Sequence, residues 1–191
     1  MGEAARAEEG TGANKRARLR DLIAELSYQS GRTFTLASGK TSGHFFNMKQ
    51  SMLHPEASTL MAEMILEVME REGLHSLGGL EMGAVPLVSA ACTRSHGGHE
   101  IRAFFVRKQK KDHGAEQQVD GYLAEGDEVM VIDDVVTTGG STLQAVHAIR
   151  ARGASVTKAL TIVDRLEGAR ENLAAEGIEL IALYDTSDFS I

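Results

Sequence analysis

Residues 129–142, Val-Met-Val-Ile-Asp-Asp-Val-Val-Thr-Thr-Gly-Gly-Ser-Thr, constrain the fold of this chain more than any other segment. The apolar run from Val129 to Ile132 suits a strand buried on both faces, which a sheet provides when helices cover both its sides. Two carboxylates close the strand, and a Thr/Gly/Ser loop then opens a helix. Ligands of open parallel sheets bind beyond the carboxyl ends of the strands, so a site belongs here. Gly139 and Gly140 let successive backbone N–H groups face one concavity, and a helix N-terminus behind them favours phosphate. Hydroxyls of Thr137, Thr138, Ser141 and Thr142 add neutral donors. Adjacent carboxylates repel phosphate, so Asp133 and Asp134 suit sugar hydroxyls, and a ribose 5′-phosphate matches both halves of the pattern. An isolated Asp-Asp would be a strand-end solubiliser and an isolated Gly pair a turn; the full pattern argues against both. No Gly-Lys-Ser/Thr follows at the spacing of a Walker loop.

The rest of the chain supplies the layers that such a strand needs. Leu19, Leu22, Ile23 and Leu26 recur at helical spacing within 15–29. Residues 34–36 and 44–48 read as two strands around the turn 38–43, and Pro55 suits the first turn of a helix that stops at Gly73. The methionine-rich face of that helix fits a core or a subunit interface. Strands over 75–80, 101–106, 128–132, 156–163 and 178–184 alternate with helices over 85–94, 141–152 and 167–176. This rhythm predicts an α/β fold with a parallel sheet between helical layers. A length of 191 residues allows one such domain, over residues 15–191, with 1–14 as a flexible tail.

Charge and cysteine content narrow the function. A net charge of -7 disfavours nucleic acid or an anionic membrane as the main partner. No apolar run reaches the roughly 18 residues of a membrane span. Residues 1–14 lack the apolar core of a secretory signal, and Arg6 stands where a myristoylation signal needs Ser or Thr. A cytoplasmic protein is expected. A single cysteine, Cys92, excludes an intrachain disulfide framework and a multi-cysteine zinc site, and its apolar helix suits core packing better than nucleophilic chemistry. His96 and His99 fit a surface loop better than a metal pair. Against this acidic background, Arg107, Lys108, Lys110, Lys111 and His113 cluster after a strand. A bare charge run is usually a solvated loop tip. Here it could close over a diphosphate, the cations neutralising a leaving group and the histidine protonating it.

The Asp-Asp-x-x-Thr-Thr-Gly-Gly-Ser segment resembles the phosphoribosyl-diphosphate (PRPP) motif of type I phosphoribosyltransferases. The segment Arg-Lys-x-x-Lys-x-His-Gly at 107–114 is similar to the catalytic loop of the orotate phosphoribosyltransferase family. The resemblance implies a central parallel sheet flanked by helices, with a small N-terminal hood formed mainly by 15–53 and a core over 54–191. It implies PRPP contacts from Arg107, Lys108, Lys111, His113, Asp133, Asp134, Val135, Val136, Thr137, Thr138, Gly139, Gly140 and Ser141. The segment 78–86 resembles the family's diphosphate loop and adds Glu81 and Met82. Orotate contacts are implied for Phe45, Phe46, Thr137 and Arg165; guanidinium matches the orotate carboxylate as a planar fork. Two positions depart from the pattern: Ala37 and Met82 stand where family members carry lysine.

The resemblance further implies Mg²⁺-dependent transfer of phosphoribosyl from PRPP to N1 of orotate, with Lys111 and His113 as the catalytic pair. No dedicated protein metal cage is expected, the ion being held by substrate oxygens and water. A homodimer is implied, with the catalytic loop reaching the neighbouring active site. Two alternatives stay open: a purine-type phosphoribosyltransferase, and a PRPP-binding regulator without catalysis, for which the basic patch Lys15-Arg16-Ala17-Arg18 would offer nucleic-acid contacts.

Overall fold

The apolar run at 129–132 lies in strand β6 (Glu128–Val136), which continues past Ile132 through both aspartates. A computed structural model describes residues 2–35, 41–109 and 118–189. On one side of β6 lie β3 (Ser76–Gly78), β4 (Arg102–Val106) and β5 (Val119–Gly121); on the other lie β7 (Ser155–Asp164) and β8 (Glu179–Asp185). All neighbours pair in parallel except β4 with β5, an antiparallel edge. The hydrophobic rhythm predicts no strand at β5. Three residues with one buried valine are too short to show a period.

Alternation along β6 builds two cores. Met130 and Ile132 face a cluster that includes α1 (Gly2–Leu26), α3 (Pro55–Glu72) and α4 (Ala84–Ser95), whereas Val129 and Val131 face α5 (Gly140–Arg150) and α6 (Ala169–Ala175). Both faces are covered, as the unbroken apolar run requires. Helix α3 carries Pro55 in its first turn, and His54 caps it by accepting from the Ala57 amide at 3.4 Å. It ends at Gly73, whose φ of 67° is the left-handed cap that glycine adopts without a Cβ clash. Met61 and Met69 are fully buried in the first core, so the methionine face is interior.

Helix α1 starts at Gly2, ahead of the expected Lys15, and ends at Leu26, where a strand replaces the expected last helical turn. The extension follows from the Ala, Glu and Arg residues of 3–9, all strong helix formers, in a stretch read from sequence as a flexible tail. The cations of the basic patch are engaged within the molecule. Lys15 pairs with Glu63 at 3.0 Å and Glu67 at 2.6 Å, and Arg18 pairs with Glu56 at 2.7 Å. The Arg16 guanidinium lies 4.6 Å from the Tyr184 ring centroid, while Tyr184 donates to the Arg16 carbonyl at 2.7 Å. These contacts bind α1 to α3 and to the end of β8.

Strands β1 (Tyr28–Thr35) and β2 (Thr41–Phe46) form the N-terminal hairpin, with Tyr28 opposite Phe46 and Gln29 opposite Phe45. A five-residue helix, α2 (Met48–Met52), follows; it is too short for sequence periodicity to reveal. The terminal 3-10 turn, Thr186–Phe189, brings Phe189 against Phe46 at 5.2 Å between centroids. Cys92 is half-buried rather than buried, its thiol directed at the Ile101 carbonyl. His96 pairs with Glu100, and His99 meets the Leu74 carbonyl at 2.8 Å, which are structural roles.

Candidate active site

At the carboxyl end of the sheet, four segments and one hood residue enclose a cleft of about 460 Å³. The end of β6 supplies the acids. Asp133 is 8% exposed; its Oδ1 accepts from the Asp134 amide at 3.0 Å, and its Oδ2 faces Thr142 Oγ1 at 3.5 Å. Asp134 Oδ1 accepts from the Val135 amide at 2.9 Å. Burial first, and the Asp134 charge second, push the Asp133 carboxyl up to about 8. The free site therefore holds less negative charge near neutral pH than two aspartates suggest.

The loop between β3 and α4 forms the facing wall. Gly79 offers its carbonyl to Val106 N, and Glu81 N donates to the Val106 carbonyl, both at 2.8 Å. Gly83 presses directly on the acids: a Cβ there would lie 2.6 Å from Asp134 Oδ1 and 2.8 Å from Asp133 Oδ1. The Glu81–Met82 peptide is cis, and Met82 is exposed. Beyond β4, the Lys108 amide donates to Glu81 Oε1 at 2.9 Å, and the Lys108 carbonyl accepts from Gln144 Nε2 at 3.1 Å. The loop between β3 and α4 is thereby joined to α5 through the backbone of Lys108.

The loop after β6 turns at Gly139, whose φ of 83° belongs to glycine, and leads into α5. Asn172 Nδ2 donates to the Thr138 carbonyl at 2.8 Å, fixing the turn from α6. The first amides of α5 have no intrahelical acceptors, so they and the Ser141 hydroxyl offer an anion-binding corner.

Of the residues expected at the site, Glu81, Met82, Lys108, Asp133, Asp134, Val135 and Ser141 line this cleft. Thr137, Thr138, Gly139 and Gly140 form the adjoining turn, and Val136 is buried beneath it. Arg107 is directed elsewhere: its guanidinium pairs with Asp120 and lies 5.5 Å from the Phe105 ring centroid. Phe46 is 7% exposed and packs on Tyr28 and Phe189, so its ring belongs to the core. Phe45 is half-buried and stacks on Phe34 at 5.5 Å. Arg165, at the end of β7, is buried; its Nη2 reaches the His44 carbonyl at 3.3 Å and Glu167 at 3.0 Å, linking core to hairpin. Lys110, Lys111, His113 and Ala37 lie outside the described residues. Sequence reading missed Lys49, Leu80 and Gly83 as lining residues. Gly83 stood within the glycine-rich 78–86 segment, whereas Lys49 gave no signal beyond its place after the hairpin.

A model of the phosphoribosyl transferase domain matches residues 50–183. The orotate phosphoribosyltransferase of Bradyrhizobium sp. (strain BTAi1 / ATCC BAA-1182) is 46% identical over 179 residues, covering 91% of this chain and 96% of that protein. The chain belongs to the orotate phosphoribosyltransferase family. Among solved structures, the Mycobacterium tuberculosis H37Rv orotate phosphoribosyltransferase in complex with Fe(III) dicitrate matches with a TM-score of 0.81 and 34% identity, over 93% of this chain and 99% of that one. The same enzyme in complex with PRPP matches with a TM-score of 0.75 and 30% identity, over 93% and 92%. The expected family and its type I phosphoribosyltransferase fold are thus borne out. Among the described residues of this phosphoribosyltransferase, no three His, Cys, Asp or Glu side chains form a metal cluster. No described helix is long and apolar enough to cross a membrane.

Proposed function

We propose that this chain transfers the phosphoribosyl group from PRPP to N1 of orotate, yielding orotidine 5′-monophosphate and diphosphate in pyrimidine biosynthesis. The observation that carries the reading is the contact of Gly83 with Asp133 and Asp134. It sets a bare backbone loop, suited to diphosphate, against two acids suited to ribose hydroxyls. The ribose 5-phosphate takes the turn 137–141 at the start of α5, and the Asp134 carboxylate accepts from a ribose hydroxyl. Asp133, whose carboxyl holds its proton more tightly, completes that contact without adding a full charge beside the phosphates. Backbone amides of the Met82–Gly83 loop receive the diphosphate. Mg²⁺, held by substrate oxygens and water beside Asp133 and Asp134, would supply neutralising charge to the diphosphate.

Displacement at the anomeric carbon passes through an oxocarbenium-like state, so stabilising the departing diphosphate matters more than any nucleophile. Lys111 and His113 serve that step, and Lys108 grips a phosphate from the base of their segment. Arg107 acts indirectly, bracing that base through Asp120. Arg165 holds the orotate carboxylate, Thr137 contacts the base, and Phe45 flanks it, while Phe46 anchors the hairpin. The enzyme works in the cytoplasm as a homodimer whose 107–113 segments reach across to the partner's site. Engagement of Lys15, Arg16 and Arg18 inside the fold weighs against a nucleic-acid-binding regulator. An assay with orotate and PRPP, with and without Mg²⁺, tests the proposal: Mg²⁺-dependent loss of orotate supports it, and no turnover refutes it.

A further inference from the structure

We infer that Lys49 is a PRPP-binding residue, a hood cation that grips the diphosphate in the cleft it shares with Lys108. The inference rests on the reading above and extends it to a residue that neither motif contains. Three carboxylates, Glu81, Asp133 and Asp134, line the cleft, and the described cations there are Lys49 and Lys108 alone. Cations directed into such a space offset the repulsion a polyanion meets there. Lys108 comes from the core, its backbone fixed by Glu81 and Gln144. Lys49 comes from the hood, on α2.

The helix that carries Lys49 is held firmly. Met48 and Met52 are buried at 1% and 2% exposure, and the buried Ser51 accepts or donates a hydrogen bond with Ser27 through their hydroxyls. The Ser51 amide also donates to Ser27 Oγ at 3.2 Å. The exposed Lys49 chain therefore projects from a fixed backbone, so only its side-chain rotamers need to be ordered when it meets an anion. No described carboxylate pairs with its ammonium, unlike Lys15, Arg18, Arg107 and Lys158, each of which is paired. Its charge is available to a ligand. Diphosphate is the ligand rather than the orotate carboxylate, because Lys49 shares its cleft with Met82, Gly83 and Lys108, whereas Arg165 is directed at the hairpin carbonyl of His44. Met82 puts an uncharged side chain on the same cleft and leaves the hood lysine the work of a second cation.

Calorimetric titration with PRPP, paired with steady-state kinetics, tests the assignment on the wild type, Lys49→Ala, Lys49→Arg and the double variant Lys49→Ala/Met82→Lys. A lost hydrogen bond to a charged group predicts roughly 10- to 100-fold weaker PRPP binding and a matching rise in its KM for Lys49→Ala. The orotate KM should change by less than about threefold, since that contact lies elsewhere. Arginine should restore most of the loss, and a lysine at position 82 part of it. Unchanged PRPP affinity in Lys49→Ala, or an orotate KM that rises alone, overturns the inference. Wild-type protein that binds PRPP but leaves orotate untouched sinks the proposed reaction while the binding arm still judges Lys49. Wild-type protein that binds no PRPP sinks both.

Discussion

Glu81 Oε1 accepts a hydrogen bond from the backbone amide of Lys108 at 2.9 Å, joining the loop after β3 to the segment that leaves β4. The sequence suggests Glu81 as a substrate contact. Its carboxylate is instead committed to the protein, where it sets the base of the segment that carries the remaining cations. Acceptor geometry, rather than charge, is what this role requires.

Glu81→Gln, which keeps an acceptor oxygen, should retain activity within about threefold. Glu81→Ala should raise the PRPP KM by roughly 10-fold, the consequence of one lost hydrogen bond between the two segments. Steady-state kinetics on both variants decides; equal losses in the two would show that the charge itself touches substrate.

Gly83→Ala should lower kcat/KM by about 100-fold or more with little change in the circular dichroism spectrum, because the new Cβ must displace the acids it meets at 2.6 and 2.8 Å. Gly98→Ala is the matched control. Its nearest neighbour would be 3.8 Å away, and it should behave as wild type in the same assay.

Asp133 gives a pH signature. Its carboxyl titrates at about 8 in the folded chain and near 4 when unfolded. Between those values the folded form binds more protons, so stability falls as pH rises through that window and the penalty is complete above about pH 8. Asp133→Asn removes the penalty. Its Tm relative to wild type should rise by roughly 10 °C or more between pH 4 and pH 8.5. A pH-independent difference in scanning calorimetry would contradict the assigned environment.

Lys111→Ala should cut turnover by about 100-fold or more while Tm stays within about 2 °C of wild type, since its role is confined to the departing diphosphate. Single-turnover kinetics at saturating PRPP would isolate the effect, and an unchanged rate would remove Lys111 from the catalytic step.

Strand-scale hydrophobicity made most of this fold legible. The run at 129–132 could be satisfied only by a sheet covered on both faces, and the residues on its two sides indeed enter separate cores. The acids and the Gly139 turn followed because their chemistry is local in sequence. What escaped depended on contacts between distant residues. Phe46 looked equivalent to Phe45, yet strand alternation sends its ring onto Phe189, far along the chain. Arg107 looked like one more cation of its cluster, but the three-residue β5 places Asp120 beside it. Lys49 carried no motif; only the folding of α2 against Ser27 turns it toward the cleft.

The most direct test of the proposed reaction is an initial-rate comparison of orotate, uracil, adenine and hypoxanthine at saturating PRPP and Mg²⁺. Binding of an acidic pyrimidine through Arg165 predicts turnover of orotate at least about 100-fold above every other base. Preferential turnover of adenine or hypoxanthine, with orotate unreacted, would contradict it.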